Sequence, residues 1–144
     1  MDVRKIIDEL KVSVEHNTEE EELLHVITAR LTALRQSFLS HRSLFTPSDI
    51  EFLKSLPAIS DPLRLFIELK EELIDVDTLE DYTAMMGRLV EIKGRLPSCA
   101  VRKRVMKEIR ELNERLPTIR AQDDAMRQVR VNARIVDLEQ NPPH

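Results

Sequence analysis

The chain has 144 residues, 42% hydrophobic and 33% charged, with two glycines, no tryptophan and a formal net charge of −4. A length of this order is one domain, able to bury about two-thirds of its unfolded surface, and the scarcity of glycine and of strand signals excludes a turn-rich all-β architecture. Cys99 is the only cysteine and no apolar run approaches the length of a signal peptide or a membrane span. These facts exclude an internal disulfide framework and a cysteine-based zinc site, and they lead us to expect a cytoplasmic, intracellular protein without membrane attachment.

In chain order, Val3, Ile6, Ile7, Leu10 and Val14 mark a first amphipathic helix over about residues 3–15. Asn17 and Thr18 interrupt it, and Thr18 followed by Glu21 has the spacing of a capping box. The run Glu19 to Glu22 then falls in the first turn of a second helix, where carboxylates are favoured by exposed amide groups and by the helix dipole. That explanation is more economical than an acidic interaction patch. Leu24, Ile27, Leu31, Leu34 and Phe38 form its apolar stripe and are expected in the core. Thr46, Pro47, Ser48 and Asp49 spell a helix start of cap, proline and acid. A short third helix should present Ile50, Leu53 and Leu56 inward before Pro57 ends it, and Ser60, Asp61 and Pro62 should restart the chain.

A fourth helix, about 62–74, carries Leu63, Phe66, Ile67, Leu69, Leu73 and Ile74 around more than half its circumference, the pattern of a helix buried between neighbours. Asp77 and Glu80 suit the start of a fifth helix, with Leu79, Tyr82, Met86, Leu89 and Val90 on one face and Gly94 and Pro97 at its end. Arg95-Leu96-Pro97-Ser98 is echoed by Arg115-Leu116-Pro117-Thr118, which we read as repeated helix punctuation.

Residues 98–138 hold ten of the 22 basic residues. Residues 1–97 carry 12 basic and 19 acidic side chains against 10 and 7 in residues 98–144, an asymmetry that would draw the two parts together. Val105, Ile109, Leu112, Leu116 and Ile119 keep to one helical face, while Lys103, Lys107 and Arg110 lie opposite. Arg104 with Glu108, Lys107 with Glu111, Arg110 with Glu114 and Glu111 with Arg115 are four apart, so most of the basic run has acids in reach. A backbone-directed, salt-sensitive nucleic-acid surface built from Arg102, Lys103, Lys107 and Arg110 is the second reading of this run. The last third has no Phe, Tyr or Trp to stack on bases, which weighs against it.

From Met126 onward the apolar pattern splits. Met126, Val129, Ala133 and Val136 make one stripe and Val131, Ile135 and Leu138 another, with Arg127, Arg130 and Arg134 in a row between them. A terminal helix has neighbours on one side, so the Met126 stripe is expected to close the core. Val131, Ile135 and Leu138, with the three arginines, are then expected to meet a partner helix or a second copy.

Candidate chemical sites are sparse. Glu22 and His25 have the one-turn spacing of a carboxylate-bridged metal bundle but no second such pair, and Cys99 beside Arg102 and Lys103 has no histidine near it in sequence. No glycine-rich phosphate loop occurs. The sequence therefore names no catalytic residue, metal or cofactor. It points to an all-α fold, an irregular helical bundle or short superhelix of six to seven helices in one domain over residues 1–140, with 141–144 as a frayed tail. The expected function is that of a non-enzymatic module, adaptor, assembly or regulatory, that binds another protein or itself.

Overall fold

The most apolar segment of the chain becomes the centre of the structure. In the computed structural model, which describes residues 2–140 other than the Leu138 side chain, there are seven α-helices and, among the described residues, no strand. They are α1 (Val3–His16), α2 (Glu20–Phe38), α3 (Pro47–Ser55), α4 (Pro57–Leu73), α5 (Leu79–Arg95), α6 (Ala100–Glu114) and α7 (Leu116–Gln140), with one turn of 3-10 helix at Arg42–Leu44. The protein is all-α. The segment 141–144, expected to fray, lies outside the described residues.

Helix α4 buries Ile59, Pro62, Leu63, Phe66, Leu69 and Leu73 and packs against α2, α3, α5 and α6. Phe66 is the largest fully buried side chain of one continuous cluster that also takes in Ile7 and Leu10 of α1, Leu23, Ile27 and Leu34 of α2, Leu89 of α5 and Val105 of α6. Helix α1, capped by the Asp2 side chain, covers α2 and α6, while α7 touches only α5 and α6 among these stronger pairings.

Several local expectations are corrected. Thr18 does not cap α2: the Glu19 N–H donates to Asn17 Oδ1 and the helix begins at Glu20, with no side-chain cap. The apolar side chains buried in α2 are Leu23, Ile27 and Leu34, while Leu24, Leu31 and Phe38 are half-buried on the flank. Pro57 opens α4 instead of closing α3, and Pro62 sits buried inside α4, where it forgoes one backbone hydrogen bond for contacts in the core. Ile74 is exposed just past that helix. Thr78, not Asp77, caps α5, accepting from the Asp81 N–H at 3.0 Å. Helix α5 runs on through Gly94 to Arg95, and Val90 faces outward.

Two long-range ion networks join distant segments. Asp49, in a reciprocal capping box with Thr46, also takes Arg4 of α1 at 2.6 Å and Lys11 at 3.5 Å. Its hydrogen bond from Arg4 and those from Thr46 outweigh burial and hold the carboxyl well below the usual carboxylate range. Glu20, buried at the start of α2, is bridged by Lys70 at 3.2 Å and Arg104 at 2.8 Å. Burial pushes its pKa up, but its backbone hydrogen bond and the Lys70 and Arg104 charges leave it lowered. The Arg104 link is one place where the basic last third meets the acidic first part.

The apolar stripe from Val105 to Ile119 survives a break in the helix. Glu114 ends α6, Leu116 begins α7, and Pro117 follows within the first turn of α7, unable to donate to a carbonyl of the preceding turn. Arg115 at the joint donates to the Leu73 and Val76 carbonyls, both at 2.9 Å, at the end of α4. It is therefore spent on the core, not on Glu111 one turn back.

Candidate functional site

A helix side chain is buried only where a neighbour covers its azimuth, so exposure around a helix maps what it touches. On α7 the map changes abruptly. Ile119 is fully buried and Asp123 nearly so, but every described side chain from Asp124 onward is exposed, whichever way it points. Residues 124–140 therefore form more than four helical turns standing off the body, at about 1.5 Å per residue.

This segment is not polar. Met126 is 53% exposed, Val129 62%, Val131 51%, Ile135 48% and Val136 48%. The Met126 stripe does not close the core, contrary to expectation, because α5 and α6 end their cover at Asp123. Both apolar stripes are open. Val131 and Ile135 lie on one of them; the Leu138 side chain, expected beside them, lies outside the described residues.

Of the arginine row, Arg127 pairs within the helix with Asp123 at 3.2 Å, while Arg130 and Arg134 are exposed. None of the three joins the acidic first part of the chain through an ion pair of the kind formed by Arg104. Where α7 leaves the body, Met126, Arg127 and Arg130 face Asp77, Thr78 and Glu80 at the start of α5 across a cleft of about 730 Å³. On the outer edge, Gln128 donates to Asn132 Oδ1 at 3.1 Å.

The residues of the second reading are divided. Lys103, Lys107 and Arg110 are exposed on the outer face of α6, but Arg102 is half-buried about 100° around the helix from Lys103, its Nε enclosed without a hydrogen-bond partner. Glu111 pairs with Lys107 at 3.8 Å and Glu108 with Arg104 at 2.9 Å. Carboxylates thus accompany the basic run from Arg104 onward, which lowers its match to the phosphates of a duplex backbone, while Lys103 has no acid one turn away in sequence.

Two surfaces escaped the sequence reading. A groove of about 390 Å³ between α2 and α3 is lined by Leu31, Phe38, Phe45, Ile50 and Leu53, with Arg35 and Lys54 also lining it. Leu31 and Phe38, which periodicity assigns to the core, are half-buried and form its α2 wall. The Glu20 bridge had no local signal, since its partners are 50 and 84 residues away. Glu22 and His25 are exposed on α2, and no cluster of potential metal ligands forms among the described residues. Cys99 is buried immediately before α6. No described helix is long and apolar enough to cross a membrane. No protein-family model, curated protein or solved structure matches this chain.

Proposed function

We propose that this chain is a non-enzymatic helical protein–protein interaction module, of the adaptor, assembly or regulatory kind, whose binding element is the projecting half of α7. The observation that carries this reading is the exposure, by about half or more, of five large apolar side chains on residues 124–140, a segment that no other part of the described chain covers. Contiguous apolar surface on a projecting helix is characteristic of a surface that another chain covers. The body anchors the helix, so a partner meets it already folded and little ordering entropy opposes binding. Arg127, Arg130 and Arg134 run alongside the Val131–Ile135 face and would meet the partner's carboxylates at its rim.

The test is replacement of Val131 and Ile135 together by Asp. Both side chains are exposed, so the variant keeps the circular dichroism and melting temperature of the native chain. Its mass by light scattering and its recovery of bound proteins are compared with those of the native chain. Loss of association from a folded variant supports the reading. Unchanged association removes this face as the interface, and unfolding shows that the face belongs to the core.

A further inference from the structure

The stripe of Val131 and Ile135 continues in sequence as a heptad. With Gln128 and Ile135 at the a positions, Val131 and Leu138 take d, Arg127 and Arg134 take g, and Asn132 and Glu139 take e. Ile135 at a with Leu138 at d is the combination that favours two parallel strands, Val131 at the other d position adds apolar surface without that preference, and one polar a residue, here Gln128, sets register. We propose that the occupant of the Val131–Ile135 face is a second copy of this chain, its α7 lying parallel and in register with the first. The proposal rests on α7 being the binding element and names its partner.

Charge decides between the four ways in which two such helices can pair. On the Val131 stripe, parallel pairing sets each g residue beside the partner's next e residue, which brings Arg134 to the second copy's Glu139 twice about the two-fold axis. Antiparallel pairing on the same stripe sets Arg134 against its own counterpart. On the Met126 stripe the exposed e positions are Arg130 and Asp137, and antiparallel pairing juxtaposes Arg130 with Arg130. Parallel pairing there opposes Ala125 to Arg130 and Asn132 to Asp137, with no opposite charges meeting. Only the parallel Val131 arrangement joins opposite charges and repels none.

The body permits it. The side of α7 that faces the body holds Ile119 and Asp123, about 120° around the helix from the Val131 stripe. A two-fold axis along that stripe therefore sends the two bodies to opposite flanks. The helix is short for a coiled coil, but nucleation, the costly step for an isolated helix, is already met by the packed first turns of α7.

The full chain is followed by sedimentation equilibrium, with Arg134→Glu, Glu139→Arg and the double exchange. Each single reversal places like charges together twice and should weaken dimerisation by about tenfold, and the double exchange should restore it to within a few-fold. Separately, Gln128→Cys should form a disulfide-linked dimer under mild oxidation, because only in-register parallel helices bring the two residues 128 within disulfide reach. Cys99 is buried and does not compete. Dimers that ignore the charge exchange, or that fail to cross-link at residue 128, overturn the parallel pairing. A native chain that stays monomeric while its capture of a different protein is still lost on the Val131→Asp/Ile135→Asp change overturns the second copy and leaves the binding element standing. If neither association exists, both readings fall.

Discussion

Removing the Asp49 carboxylate should unlock α1 from α3. Asp49 Oδ2 accepts from the Thr46 N–H at 2.9 Å, Oδ1 accepts from Arg4 at 2.6 Å, and the side chain is only 2% exposed. In Asp49→Ala the N-cap box loses its return bond, worth about 1 kcal/mol, and a hydrogen bond to a charged group is lost, worth about 1.5 to 3 kcal/mol. Arg4 is half-exposed and returns to water, so no stranded charge adds to the cost. The expected loss is therefore about 3 kcal/mol, or roughly 10 °C in melting temperature for a chain of this size, read by urea and thermal unfolding under far-UV circular dichroism. Asp49→Asn keeps an acceptor for Thr46 and should lose about half as much. The pH dependence is a second reading of the same bond. Because the folded-state pKa is depressed, chiefly by the Arg4 hydrogen bond, the stability Asp49 contributes is complete above its unfolded value of about 4 and fades as the pH falls below it. The gap between native and Asp49→Asn protein should be flat from about pH 8 to 5 and close below about pH 4. A loss under about 0.5 kcal/mol in Asp49→Ala, or a gap that widens on acidification, would refute this account.

Leu34→Ala should cost about 2 to 5 kcal/mol while the half-buried Leu31→Ala costs distinctly less; the reverse order in urea unfolding would mean that α2 is rotated about its axis. Arg115→Met should cost about 1 to 3 kcal/mol by stranding the Leu73 and Val76 carbonyls. Arg115→Lys should recover little of it, since one ammonium lacks the two-pronged reach. Deleting residues 128–144, which keeps the Arg127–Asp123 pair, should leave the melting temperature of the monomer within about 2 °C of native, because no described side chain beyond Asp123 is buried; a large drop would show that the tail packs on the body.

The elements legible in the sequence are those whose evidence is local. Thr46, Pro47 and Asp49 announced α3, and the unbroken apolar run of α4 announced the centre of the bundle. Boundaries failed where two local signals competed. Thr18 and Glu21 have capping-box spacing, yet Asn17 takes the Glu19 amide and α2 starts later, which carries Glu20 into reach of Lys70 and Arg104. Pro57 and Pro62 each read as a boundary, and only the first is one, because Pro62 lies at a buried azimuth shared with Leu63 and Phe66. The α2–α3 groove was illegible because it is made by two helices meeting, and periodicity describes one helix at a time.

The projecting half of α7 poses a different problem, since its apolar content suggested burial. Periodicity shows that a face is apolar; it does not show that anything covers it. The signal that does distinguish the two cases lies on the side of α7 that faces the body. That side runs through Leu116, Ile119, Asp123, Arg127, Arg130 and Arg134, at spacings of three, four, four, three and four. It is apolar for one turn, then acidic, then basic, and the burial of the helix ends at the same point, after Asp123. An arginine row laid against the body would have to leave most of its water for the two carboxylates across the cleft, Asp77 and Glu80, and burying charges costs several kcal/mol each before such pairing repays it. The helix instead continues straight past the body. The polarity of that one side, more than the number of apolar residues on the others, ends the fold at Asp123 and leaves the Val131 stripe open to a second chain.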